Sequence, residues 1–128
     1  MGGEAGPIWI GCTGWSLPAA VAGDFPGAGG HLARYAGRFR AVEISSSFYR
    51  HHLPRTYARW AETVPAGFRF AVKLPRAVTH GARLGPAGRP ALARFLAEVA
   101  ALGDRCGPLL AQLPPCVGWL VHPCEHSG

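Results

Sequence analysis

The feature that most constrains this chain is an alternation. Four short apolar runs are separated by stretches with helical periodicity, at repeats of roughly 30 residues, the size of one βαβ unit. Ile8–Cys12 is the first run, Ala41–Ser45 the second, Phe68–Leu74 the third and Gly107–Leu113 the fourth. Between the first two, Leu32, Tyr35, Ala36 and Phe39 recur at helical spacing, which predicts a helix over 31–38. Pro54 suits the first turn of a second helix, where its missing N–H costs nothing. Tyr57, Trp60 and Ala61 form the apolar stripe of that helix, and Val64-Pro65-Ala66-Gly67 stops it. A third helix covers 90–102, with Leu92, Phe95, Leu96, Val99, Ala100 and Leu102 on one face. Strands alternating with helices predict parallel pairing through right-handed crossovers. An open doubly wound sheet and a barrel both satisfy that order. No GxGxxG follows the first strand and no GxxxxGK[ST] occurs, which weakens the nucleotide-binding form of the open sheet.

Composition narrows the function classes. Of the 128 residues, 48% are hydrophobic and 16% charged, enough apolar material for one packed core. The net charge of +6 invites an acidic partner. Yet all but one of the basic residues are arginines spread singly from Arg34 to Arg105, with no cluster of the kind a nucleic-acid patch shows. A nucleic-acid-binding module is therefore the weakest function class. Cys12, Cys106, Cys116 and Cys124 include no CxxC pair. The N-terminus lacks the basic and apolar regions of a signal peptide, and no apolar stretch reaches the ~18 residues of a membrane span. A soluble cytoplasmic protein with free thiols and no membrane partner is expected. Cys116, His122, Cys124 and His126 superficially offer metal ligands, but their spacing matches no standard zinc pattern, so no metal site is expected.

Within a strand, parity assigns side chains to faces. In the second, Val42 and Ile44 point one way, Glu43 and Ser45 the other. In the third, Phe68, Phe70, Val72 and Leu74 form the apolar face, Arg69, Ala71 and Lys73 the opposite one. If the apolar faces pack on helices, Glu43 and Lys73 project inward from neighbouring strands about 4.8 Å apart, within reach of contact. Gln112 shares a face with Leu110 near the end of the fourth strand. Lys73 is the sole lysine beside twelve arginines. A compact ammonium, or an amine able to lose its proton, suits a ligand-binding cation, a general acid/base or a Schiff base. A core ion pair with Glu43 explains it equally well. The loops after the strands add Trp15, Ser47, Tyr49, Arg50, Arg76 and His80. Aromatics beside Arg and His suit a planar or sugar-like anionic ligand. For Trp15 and Phe48, loop packing is the favoured role. His80 stands between an acid/base role and a surface position.

Four motifs carry a resemblance: IGCTGWS, AVEISSSFYR, FRFAVKLPRAVTH and GPLLAQLPP. In this order and spacing they resemble the domain of unknown function 72 family, also called YecE-like proteins, from Ile8 to Pro115. The resemblance implies an α/β fold, here part of a TIM (β/α)₈ barrel with about four parallel strands and three intervening helices. It supports the matched positions Trp15, Glu43, Ser47, Tyr49, Arg50, Lys73, Arg76, His80 and Gln112, and supplies no reaction. Residues 1–7 are then a disordered N-terminus, 8–115 the N-terminal half of a barrel, and 116–128 an irregular tail. That tail, CVGWLVHPCEHSG, lacks helical periodicity where the family has a helix, and reads as a truncated or frameshifted end. The function expected is binding or processing of a small polar or anionic metabolite at the strand C-termini. Catalysis falls to Glu43, Lys73 and His80, and ligand contact to Trp15, Ser47, Tyr49, Arg50, Arg76 and Gln112. Lyase, isomerase and hydrolase chemistry stay open, as does the cofactor. The alternative is a non-catalytic barrel fragment, whose exposed edges invite self-association or a complementary half-barrel.

Overall fold

Strict alternation in the second and third strands divides the sheet into a greasy face and a polar one, and the rest of the architecture follows. The computed structural model describes residues 6–115, so the tail at 116–128 and all but two residues of the expected disordered N-terminus lie outside it. Four strands form one sheet: β1 (Gly11–Thr13), β2 (Ala41–Ile44), β3 (Arg69–Lys73) and β4 (Cys106–Leu110). Every neighbouring pair is parallel and the order is β1-β2-β3-β4. A doubly wound sheet reverses its strand order at a switch point; this one does not. The helices α2 (His31–Ala36), α3 (Pro54–Thr63) and α4 (Arg89–Val99) fill the three crossovers. A short α1 (Ala19–Ala22) interrupts the first crossover and was not expected from the sequence.

Val42, Ile44, Phe70 and Val72 lie in one core with Leu32 and Tyr35 of α2, Tyr57 and Ala61 of α3, and Phe95 and Val99 of α4. Burying each of the valine, leucine, isoleucine and phenylalanine side chains among them contributes about 1.5–3 kcal/mol. With helices on that face alone, the sheet is an arc of a barrel and Glu43, Ala71 and Lys73 line its inner side.

Three expectations need adjusting. Ile8, Trp9 and Ile10 precede the first strand rather than forming it: the Trp9 indole N–H donates to the Gly67 carbonyl at 3.0 Å, and Arg40 and Arg69 flank its ring. β4 ends at Leu110, where the Leu74 N–H takes the Leu110 carbonyl; Pro75 then has no N–H to continue the ladder. On α4, Leu96 is 44% exposed and Ala100 is exposed, while Glu98 on the core side is 6% exposed.

Gly11 and Tyr35 lock β1 to β2. The Tyr35 hydroxyl accepts from the Cys12 N–H at 2.9 Å and donates to the Ala41 carbonyl at 2.7 Å. A Cβ on Gly11 would collide with that carbonyl, a backbone atom that cannot swing aside. Gly11→Ala is therefore expected to destabilise the chain by about 1–3 kcal/mol, the range for overpacking. Urea unfolding followed by circular dichroism checks it; a wild-type midpoint would mean that the strands separate without cost.

Candidate functional site

The loops that follow β1, β2 and β3 meet at one end of the arc. After β2 the chain makes a tight turn over Ser46–Phe48. The Ser47 hydroxyl reaches the Lys73 carbonyl at 2.6 Å and the Ile44 carbonyl at 3.2 Å, clamping this turn to the end of β3. Ser47 is only 2% exposed. Its hydroxyl is committed to backbone, so its place is that of a latch rather than of a free ligand contact.

The latch holds Phe48 over the mouth. Phe48 is buried, and three side chains from the sequence reading gather on its ring. The Lys73 ammonium lies 4.6 Å from its centroid. The His80 and Tyr49 rings stand edge-on to it at 5.2 and 4.9 Å. His80 belongs to a π-helical turn, Ala77–Gly81, and its Nδ1 lies 2.9 Å from the Thr79 hydroxyl. Phe48 thus brings Lys73 and His80 to one ring, a role that loop packing alone understates.

Glu43 and Lys73 share the inner face, as parity requires, but form no ion pair among the described residues. The register explains this. Glu43 is level with Ala71, and Lys73 lies two residues further along β3. Strand geometry places their Cα atoms about 8 Å apart. Glu43 instead accepts from the Thr13 hydroxyl through Oε2 at 2.9 Å. The core ion pair considered for Lys73 is therefore absent.

Two cavities open here. One, of about 280 Å³, is lined by Trp15, Ser16, His31, Glu43, Ser45 and Ser46. Trp15 is wedged edge-on against Trp60 and Phe70, at 5.0 and 6.1 Å. It therefore packs on the core and walls the cavity at once. The second, of about 180 Å³, brings together Tyr49, Arg50, His51 and Arg76. Tyr49 is 78% exposed, and Arg50 and Arg76 are exposed as well. Gln112 is exposed beyond β4 and lines neither cavity.

Sequence reasoning missed three histidines and an acid at this end. His51 Nδ1–H donates to the buried Glu98 carboxylate at 2.8 Å, fixing the β2 loop to α4. His52 Nε2 lies 2.7 Å from the Ser46 hydroxyl, and its ring sits edge-on to Trp60 and Tyr57. His31 accepts the Leu17 N–H through Nδ1 at 3.1 Å. The only advance signal was Glu98's place three residues after Phe95, on the apolar stripe. Elsewhere the arginines serve the fold: Arg34 holds the Ala22 and Phe25 carbonyls, and Arg38 that of Asp24. Among the described residues no three His, Cys, Asp or Glu side chains gather as a metal site. The sulfur- and histidine-bearing tail lies outside them. No helix among them is long and apolar enough to cross a membrane.

A model of the family termed protein of unknown function DUF72 matches residues 9–122. The chain belongs to the DUF72 family. It is 32% identical over 111 residues to UPF0759 protein YecE of Escherichia coli K12, covering 87% of this chain and 39% of YecE. It is 31% identical over 72 residues to UPF0759 protein YunF of Bacillus subtilis 168, covering 56% of this chain and 26% of YunF. Among solved structures it is similar to a DUF72 family protein of Enterococcus faecalis V583, with a TM-score of 0.74 and 22% identity over 90% of this chain and 42% of that one. A DUF72 family protein of Thermotoga maritima MSB8 gives a TM-score of 0.65 at 25% identity, over 83% of this chain and 44% of that one. DUF72 barrels are TIM-like, and this chain spans less than half the length of the relatives it matches.

His52 is expected to make the stability of this DUF72 chain depend on pH. Burial pushes its imidazole below the ordinary value, the Arg50 charge adds to this, and Glu98 opposes it. The unfolded chain then binds this proton more readily than the folded one. Stability is present above the ordinary value of about 6.5 and is lost as pH falls toward the depressed folded value. Thermal melts between about pH 7.5 and pH 5.5 should show Tm falling on acidification, and His52→Gln should flatten that slope. An unchanged slope in the variant would assign the effect to another group.

Proposed function

We propose that this arc binds a small anionic metabolite at the C-terminal ends of its strands, with Lys73 as the central cation and Glu43 as its acid/base or binding partner. One observation carries the reading. The sole lysine of the chain is half-buried at the mouth, held over Phe48, with no anionic partner among the described residues. A cation–π contact is worth about 0.5–2 kcal/mol and orients the ammonium without neutralising it. A partly desolvated charge left uncompensated is costly, and an incoming phosphate or carboxylate would offset that cost. Arg50 and Arg76 flank the neighbouring cavity and add planar donors suited to such anions. His80 and Tyr49, on the same phenyl ring as Lys73, are the further contacts, and Trp15 walls the cavity beside Glu43. Inward polar groups at the C-terminal ends of parallel strands are the usual location of barrel active sites. Cys12 and Cys106, unpaired among the described residues, support a reducing, cytoplasmic setting. The open edges of β1 and β4 among the described residues support pairing with a complementary half-barrel or a second copy.

A binding role without turnover is the second reading. It is favoured by the offset of Glu43 from Lys73, which share no hydrogen bond through which a proton could pass.

Calorimetric titration of the chain with sugar phosphates, dicarboxylates and inorganic phosphate tests the proposal. Lys73→Ala is expected to weaken binding at least about tenfold, the value of a charge-assisted hydrogen bond, while the variant still unfolds in one cooperative thermal transition. Wild-type affinity in the variant would remove Lys73 from the site. Turnover of any bound compound, followed by product analysis, separates the two readings.

A further inference from the structure

The cavity beside Glu43 holds a donor–acceptor set that an anion site alone does not require. Glu43 spends Oε2 on the Thr13 hydroxyl, and Oε1 has no partner among the described residues. The same cavity is lined by His31, whose Nδ1 accepts the Leu17 N–H. That acceptor role puts the proton of the neutral ring on Nε2, so the imidazole presents a donor on its opposite side. Ser16 and Ser45 line the cavity with hydroxyls, which donate and accept, and Trp15 supplies an apolar wall. A carboxylate acceptor, an imidazole donor, hydroxyls and an aromatic wall are complementary to a ring bearing adjacent hydroxyls. Each sugar hydroxyl needs both an acceptor and a donor, and the ring's C–H surface needs apolar contact.

Volume limits the occupant. At about 280 Å³ the cavity falls just below the roughly 300–1,000 Å³ seen for ligand clefts. A single ring fits that space. The offset of Glu43 from Lys73, about 8 Å by strand geometry, suits a ring at the first residue and an anionic substituent at the second.

The geometry points to a polyol subsite in which Glu43 and His31 grip the hydroxyls of a single sugar-like ring, making the ligand class a sugar phosphate. The phosphate half of this inference rests on the anion reading of Lys73; the ring half rests on the cavity alone.

The probes are D-glucose 6-phosphate, inorganic phosphate and D-glucose, titrated into the chain by calorimetry. Wild type is expected to bind glucose 6-phosphate at least about tenfold more tightly than phosphate. His31→Asn keeps an acceptor for the Leu17 N–H but has no donor where Nε2 stood. It should lower glucose 6-phosphate affinity about tenfold and leave phosphate affinity unchanged. His31→Gln, whose amide N–H reaches the Nε2 position, should retain most of the preference. Equal binding of the two anions by wild type, or an unaltered preference in His31→Asn, overturns the polyol subsite. If phosphate binding is absent, or indifferent to Lys73→Ala, the anion reading falls instead. The subsite is then judged on D-glucose: binding that His31→Asn weakens sustains it, and no binding ends it.

Discussion

One constraint governs the molecule: side chains in a strand alternate, so burying one set commits the other to the opposite side. Val42, Ile44, Phe70 and Val72 are drawn under the helices, each no more than 2% exposed. Nothing further is needed to turn Glu43 and Lys73 inward. A slip of one residue in either strand would bury a carboxylate or an ammonium in the helical layer, at a cost of several kcal/mol. The hydrophobic core thus dictates the placement of the charged groups at the mouth.

A second level of order comes from side chains that hydrogen-bond across elements, Tyr35 and Ser47 to backbone and Glu98 to another side chain. Tyr35 crosses from α2 to bridge β1 and β2, Ser47 clamps the β2 turn to β3, and Glu98 reaches from α4 to His51. Each ties a loop or strand end to a neighbour at a net value of about 0.5–1.5 kcal/mol for a neutral pair, more where a charge takes part. Ser47 and Glu98 brace the turn that forms the mouth, while Tyr49, Arg50 and Arg76 around it stay exposed, so ordering those side chains is part of the cost of binding a ligand there.

What the sequence disclosed and what it hid follow from the range of each signal. Periodicity is local, so β2, β3, α3 and the faces of Glu43 and Lys73 were legible from a few residues each. The strand ends were less so, since β4 stops where Pro75, a residue of another strand's loop, ceases to offer a donor. Leu96 read as core by spacing alone, yet the helix is rotated so that Glu98 faces inward to meet a histidine 47 positions away in the chain. His31 came to the Glu43 cavity by a crossover that contains α1, and no pattern near His31 announces that meeting. The offset between Glu43 and Lys73 depended on the register between strands, which side-chain alternation leaves free in steps of two.

The isolation of Lys73 has a practical consequence. Lys73 carries the one ε-ammonium of this sequence, so a lysine-directed acylating reagent has a single lysine to act on in it. Acylation there removes the charge that the anion reading needs, so a bound ligand would register as protection of this one side chain beside Phe48 from modification.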